Sequence, residues 1–449
     1  MSNIVESKVE VMSQLGKHLR QARKSLKKGD TEAAGQQLRL VFYDLNLAQS
    51  KKDLTTALTI FRECLTRSNH ATDQELYAAS TTDANDIQGL YDFAVMLGLN
   101  GHFRFAACIA LRLRTLYRPD RKVSEMLIHF LVQEFRFEDA LNWARADCPQ
   151  FRECYYLQYL FGFSALMCAH LDEAYSACRF MQEAVTADEE DMQLMHAFQG
   201  MLCRVKEIEC ATSLSMQDLR GWHYVITGGL LLDTSPPDHD MNGRYSILIN
   251  EDIYSFLRLG LERLKIATEL LQIRSSRILL PAEPGSRALG LAAAQVLDWP
   301  VETWDGAIQE GMVVAVNPYD LDETGSKTLS EHHSGQLFYC HSECWTRPSS
   351  FTPDFLTSLV QAYSAPWGDF YSEGEVIRKF ADAHDSSTED LAYKISNADF
   401  EDDSAHQLQD VAEIKRVATA IGDYAAFRLT SGKRLMSYPG PVASSEFIV

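Results

Sequence analysis

Residues 279–297 read LLPAEPGSRALGLAAAQVL. A short apolar run stops at Pro-Ala-Glu-Pro-Gly-Ser-Arg, and an alanine-rich helical pattern begins at once. An apolar run of strand length, a Pro/Gly turn and a helix of three-to-four periodicity make one strand-turn-helix step. That step decides the class of the second half of the chain. Working outward, RILLPA (277–282) is a strand, and the helix runs to about Leu297. MVVAV (312–316) and QLFYC (336–340) are further strands. WHYVIT (222–227) and YSILI (245–249), rich in β-branched and aromatic residues, read as strands too, with the turn-dense DTSPPDHDMNGR (233–244) as a loop between them. Asn250 or Asp252 caps a helix through IYSFLRLGLERLKIATELL (253–271). Strands alternating with helices imply a mostly parallel sheet covered by helices. Helical patterns over 375–383 and 411–430 extend it, and Pro439 and Pro441 exclude a helix from the tail.

The first half has a different texture, an internal repeat. LNGHFRFAACIALRLRTLYRP (99–119), VQEFRFEDALNWARADCPQ (132–150) and MCAHLDEAYSACRFMQEAV (167–185) each break, resume with an aromatic or leucine, and reach an alanine that opens a new amphipathic run. Ala106, Ala140 and Ala174 align at intervals of 34 residues, and one turn later Ala110, Ala144 and Cys178 are all small. Phe93-Ala94, Leu127-Ile128 and Phe161-Gly162 share a phase in the preceding helices. Small residues at fixed points let paired helices approach closely, while large apolar ones fill the gap to the next pair. The pattern resembles the tetratricopeptide repeat. The usual aromatic of that repeat is replaced by Leu97, Leu131 and Ala165, and Pro119 stands one place late. KKGDTEAAGQQLRLVF (27–42) and KKDLTTALTIFRECL (51–65) have the same texture out of strict register. The resemblance implies a solenoid whose groove binds a protein or peptide partner; a bracing role for the helices is the alternative.

The fold class expected is therefore α + α/β: an N-terminal α-helical repeat solenoid over 1–218, a mostly parallel α/β sheet domain over 219–372, and an acidic segment with a helical extension over 373–449. A chain of 449 residues is long enough for two or three domains. No apolar run reaches membrane-spanning length, and the N-terminus lacks the apolar core of a signal peptide, so a cytoplasmic protein without a membrane partner is expected. The net charge of -20 argues against a nucleic-acid partner. The one basic concentration, Lys17, Arg20, Arg23, Lys24, Lys27 and Lys28, has the spacing of a solvated helix face. The acid gathers late, with ten Asp or Glu against Lys394 over 382–413. Ten cysteines lie mostly in apolar helical patterns, where a thiol acts as a small hydrophobe. Cys340-His341-Ser342-Glu343-Cys344 is their one tight cluster; with no second Cys/His pair at finger spacing, it reads as a strand end rather than a metal site.

The turn at 283–287 is a candidate anion site. Gly285 permits unusual backbone angles, Ser286 offers a hydroxyl, Arg287 a forked cation, and the first-turn amides of a helix favour an anion. It is not a triphosphate loop: Gly285 and Gly290 have the spacing, but Leu291 and Ala292 replace the lysine and hydroxyl. The dinucleotide Gly-x-Gly-x-x-Gly is absent as well. ILLPAEPGSRALGLAAAQVLDWPVETW (278–304) resembles the strand, pyrophosphate loop and helix of phosphoribosyltransferases, with Leu297-Asp298-Trp299-Pro300 as the entry to the next strand. The resemblance implies a phosphate-binding loop in VVAVNPYDLDETGSKT (313–328). The implied phosphate-binding residues are Glu283, Gly285, Ser286 and Arg287, with Asp322, Thr324, Gly325 and Thr328 from the second loop. Magnesium would accompany such a ligand; no other cofactor is expected. Asn317-Pro318 stand where the family carries two acidic residues, which points away from catalysis. The function expected is protein–protein interaction or regulation with a non-catalytic α/β domain. The alternative is an enzyme or sensor that binds a phosphorylated, nucleotide-like or phosphoribosyl ligand. His239, His332 and His333 lie in polar stretches and carry no assigned role.

Overall fold

Asp30, Asp86 and Asp120 each accept a hydrogen bond from the backbone N–H three residues ahead, and each starts a helix. These contacts come from a computed structural model. It describes residues 2–67, 83–117, 120–184, 188–234, 253–273, 277–344, 349–360, 370–372, 375–378, 386–399, 405–422, 432–438 and 440–442. The chain forms two units, Met1–Met195 and His196–Ser445.

The first unit is helical. It comprises α1 (Ser2–Lys27), α2 (Thr31–Tyr43), α3 (Lys51–Arg67), α4 (Ile87–Leu99), α5 (Phe103–Leu116), α6 (Arg121–Gln133), α7 (Phe137–Asp147), α8 (Tyr155–Met167) and α9 (Leu171–Glu183), and α10 (Glu189–Ile208) leads out of it. From α4 to α9 each helix packs on the next. Helix starts recur at 87, 121 and 155 and at 103, 137 and 171, 34 residues apart in each series. The turns within these pairs share one geometry as well: Gly101, Phe135 and Ala169 hold left-handed backbones with φ of 73°, 57° and 58°. Only glycine adopts that conformation without strain, so packing imposes it on the other two. Ala106, Ala140 and Ala174 are wholly buried, where the helices of each pair meet.

The second unit is α/β. Its elements are α11 (Leu219–Thr227), β1 (Leu230–Leu231), α12 (Ile253–Leu270), β2 (Ile278–Leu280), α13 (Pro284–Leu297), β3 (Val301–Thr303), β4 (Gly311–Ala315), α14 (Glu323–Leu329), β5 (Glu331–His332), β6 (Gln336–Cys344), β7 (Phe355–Val360), β8 (Phe370–Ser372), β9 (Glu375–Arg378), α15 (Thr388–Ser396), α16 (Ala405–Ile421) and β10 (Gly432–Lys433). Six strands make one parallel sheet in the order β1-β7-β6-β4-β2-β3. β4 and β7 are buried along their whole length, as parallel strands covered on both faces must be. Helix α13 lies on β2 and β4, and α12 lies on β7. A Cβ at Gly290 would come 2.5 Å from Leu280 Cδ2, which shows how closely α13 approaches β2. Helices α15 and α16 both pack on α12, so the C-terminal helices belong to this unit.

The expected strands at 277–282, 312–316 and 336–340 and the helices at 253–271 and 284–297 are present. Three readings need correction. Residues 222–227 are not a strand but part of α11. Asp218 caps its start through Gly221 N, and Gly228, with φ of 75°, ends it. All nine residues of α11 are buried, so burial on every side overrides their β propensity. Within 375–383, Glu375–Arg378 is a strand paired antiparallel with β8 rather than a helix, the cross-strand partner overriding local periodicity; 379–383 lie outside the described residues. Residues 322–328 are not an open loop: Asp322 accepts from Gly325 N at 2.7 Å and caps the short helix α14. The helix expected over 411–430 begins earlier, at Ala405, and ends at Ile421, where Gly422 follows with φ of 87°. The readings at 245–249, Asn250, Asp252, His239 and most of 233–244 fall outside the described residues.

Candidate functional site

The strand order reverses once. From β2 the chain passes through α13 to β3 on one side, then returns across β2 to β4 on the other. In open parallel sheets, ligands gather outside the carboxyl ends of the two strands that flank such a reversal. Here those ends deliver Glu283 and Ser286 after β2, and Asn317 and Asp320 after β4.

Glu283 is the N-cap of α13. Its carboxylate accepts from Gly285 N at 2.9 Å and from Ser286 N at 2.5 Å. The first-turn amides that the sequence offers to an anion are therefore already bonded, and the negative charge a helix start attracts comes from the chain itself. Ser286 is fully buried; its Oγ accepts from Val316 N at 3.0 Å, tying α13 to the end of β4. Val316 O in turn accepts from Ser342 N of β6 at 2.9 Å, so the start of α13, the end of β4 and β6 are joined in a row. Arg287 is half-buried; its backbone N–H donates to Glu283 O at 2.9 Å, and among the described residues its side chain forms no ion pair or hydrogen bond.

Asp320 closes a capping box: its carboxylate accepts from Asn317 N at 3.0 Å, and Asn317 Oδ1 accepts from Tyr319 N. Burial pushes the Asp320 carboxyl up to about 7, and the charge of Glu283 beside it pushes the same way. The bonds from Asn317 and Ser286 only partly oppose this. A carboxyl in this state holds or releases a proton near neutral pH. The second expected group, Asp322, Thr324, Gly325 and Thr328, packs on the β3–β4 connection instead. Thr328 Oγ1 donates to Gly306 O at 2.5 Å, and a Cβ at Gly325 would touch the Trp304 ring at 3.0 Å. Of the eight residues named from sequence, Glu283, Gly285, Ser286 and Arg287 thus line the end of β2, while the other four brace a neighbouring turn. Asn317 and Asp320 were missed, although Asn-Pro-Tyr-Asp directly after an apolar strand is a capping-box signal.

The His341 and Glu343 side chains lie on one face of β6, with Cys340 and Ser342 on the other, as strand alternation requires. Burial holds the His341 imidazole down at about 3 and pushes the Glu343 carboxyl up to about 7, although bonds from Ser349 partly oppose the latter. Among the described residues no group of three or more His, Cys, Asp or Glu is placed to hold a metal ion.

The Asp320 proton has a measurable sign. The folded carboxyl keeps its proton to about 7, whereas the unfolded one releases it near the ordinary 3.8. Between those values the folded state binds more protons, so this group weakens the fold as pH rises through that window. Asp320→Asn keeps an acceptor for Asn317 N and removes the titration. Discounted for partial exposure, the variant is expected to gain about 1–2 kcal/mol over wild type between pH 5 and pH 8. Thermal unfolding at the two pH values measures this, and parallel shifts in both proteins would remove Asp320 as the cause.

The helical unit has a second distinctive surface. Phe103, His129, Tyr156 and Tyr159 are partly exposed and follow one another across α5, α6 and α8. The ring centroids are 6.1 Å apart for Phe103–His129 and 6.2 Å for both His129–Tyr156 and Tyr156–Tyr159. His129 Nδ1 and Tyr156 Oη are hydrogen bonded at 2.7 Å, and burial lowers the His129 imidazole, favouring its neutral form. No family model matches this chain, and neither the curated proteins nor the solved structures hold a match to it.

Proposed function

We propose that this protein acts in the cytoplasm as a recruitment or regulatory protein, binding other molecules rather than transforming them. Its helical pairs, which resemble tetratricopeptide repeats, take a segment of a partner protein along the row Phe103, His129, Tyr156 and Tyr159. The observation that carries this reading is that row: rings from α5, α6 and α8 form a continuous, partly exposed strip. Aromatic side chains bury large area for little lost freedom, and such residues dominate binding energy at protein interfaces. The α/β unit serves as the second recognition module. Its carboxyl edge is held by caps internal to the chain, with Glu283 and Asp320 both engaged by backbone N–H groups.

The reading is tested by selecting peptides from a random display library on the full chain. Enriched sequences are expected to bind the wild type and to lose about tenfold or more on Tyr159→Ala, a change on the scale of one interface anchor. Peptides that bind both proteins equally well, or a library that yields none, would overturn it.

A further inference from the structure

Residues 11–29, VMSQLGKHLRQARKSLKKG, contain no Asp or Glu, in a chain that has 62 of them. On α1 the side chains of Lys17, Arg20, Arg23, Lys24 and Lys27 are exposed, as is Lys28 just beyond the helix. None of the six forms an ion pair among the described residues. At 100° per residue they fall within an arc of roughly 140°, and from the first to the last they cover about 17 Å of helix. The opposite side is fixed in the core: Leu15, Leu19, Ala22 and Leu26 are each at most 5% exposed. The helices packed on α1 add to the effect. Over 14–67 there are eleven Lys or Arg against five Asp or Glu, a local excess of positive charge in a protein of net charge -20.

We propose that this face of α1 docks an acidic segment of a partner polypeptide. Charge complementarity sets the class of occupant, and the rest of the surface selects within it. A membrane-binding face needs apolar side chains to enter the lipid. No large hydrophobic residue of 14–67 is exposed among the described side chains, because Leu15, Leu19 and Leu26 of α1 are spent on the core. A bilayer or a duplex also presents charge over an area far wider than this strip. A short peptide meets only the strip, since screening confines each charge to about 8 Å at physiological salt. An extended segment rises about 3.3 Å per residue, so roughly five residues cover the strip. Alternate carboxylates of such a segment would each find an ammonium or guanidinium within reach. This surface is independent of the aromatic row.

The probe is a fluorescein-labelled octaglutamate peptide titrated with the full chain and followed by anisotropy. Saturable binding is expected at about 50 mM salt, with loss at about 500 mM, where the screening length falls to a few ångströms. The triple variant Lys24→Gln, Lys27→Gln and Lys28→Gln is expected to weaken binding about tenfold or more. Lys415→Gln, an exposed change on α16, should leave it unaltered. The three glutamines are on exposed positions, and matching circular dichroism and melting curves establish that the triple variant is folded. Absence of binding at low salt, or an equal loss in Lys415→Gln, would overturn the proposal. Competition in which phosphatidylserine vesicles or duplex DNA displace the peptide and bind more tightly would show that the occupant is of another class.

Discussion

Asp410→Ala is expected to destabilise the α/β unit by about 3–5 kcal/mol, the range for breaking a buried ion pair from one side. Asp410 sits on α16 and is 1% exposed, as are Arg220 on α11 and Arg263 on α12. Arg220 donates to Asp410 and to Glu413, and its Nε donates to Leu231 O at 2.8 Å. Arg263 bonds Asp233 and lies 2.7 Å from the second oxygen of Asp410. Thr234 Oγ1 completes the set at 3.0 Å. Burial works against ionising Asp410, but the two arginines outweigh it and hold the carboxyl below its ordinary value. Asp233 is driven the other way: burial raises it, and Arg263 only partly compensates. One carboxylate thus serves two buried guanidinium groups at the carboxyl end of β1. Without it both cations stay buried, Arg220 with Glu413 alone and Arg263 with Asp233 alone.

Fluorescence suits the measurement, because five of the six tryptophans lie beyond residue 195 and only Trp143 before it. Urea unfolding of Asp410→Ala should show the lowered midpoint. A loss below about 1 kcal/mol would mean that Glu413, Asp233 and water satisfy the arginines without Asp410. The replacement Arg220→Met, Arg263→Met, Asp410→Leu, with Asp233→Asn because Asp233 would otherwise lose its partner Arg263, provides the counter-test. Apolar residues of similar size often restore stability where an ion pair was removed whole, so much of the loss should return.

This network shows why part of the molecule was hidden in its sequence. Arg220 and Asp410 are 190 residues apart, and no local pattern connects them. The same holds for Glu283 and Asp320, which meet only because β2 pairs with β4 in parallel. Local order was readable wherever one period dominated. Pro284 and Gly285 after an apolar run marked the β2–α13 step, and alanines 34 residues apart marked the helical pairs. Reading failed where burial is all-round. α11 carries Trp222, Tyr224, Val225 and Ile226 on every side, so neither a period of two nor one of 3.6 stands out. β1 and β3, with two and three residues, are too short to show any period. The Glu283 cap is legible in the sequence, although the same residue fits a ligand contact there. A carboxylate just before a Pro-Gly helix start satisfies the amides itself, and that local bond precedes any external anion.

In the helical unit the corresponding keystone is Asp147, fully buried at the end of α7. Arg114 of α5 grips it in a fork, with Nη2 at 2.7 Å from Oδ1 and Nε at 3.1 Å from Oδ2. Ser124 of α6 donates to Oδ2 at 2.6 Å. Three successive helices thus converge on one side chain, which repeat spacing alone does not foresee. Asp147→Ala removes two charge-assisted bonds and one from a hydroxyl. It leaves Ser124, itself 0% exposed, with no acceptor, and Arg114 with its charge uncompensated. Bonds to charged groups contribute about 1.5–3 kcal/mol each, and Arg114 at 17% side-chain exposure recovers part of its share from water. A net loss of about 3 kcal/mol is expected. It is read as a drop in helical ellipticity at a denaturant concentration that leaves the tryptophan signal of the α/β unit unchanged. Asp147→Asn separates charge from shape: it keeps an acceptor for Ser124 but offers Arg114 no negative charge, so it should fall between wild type and Asp147→Ala. If Asn and Ala destabilise equally, charge carries the whole effect, and if Asn matches wild type, the hydrogen-bond geometry does.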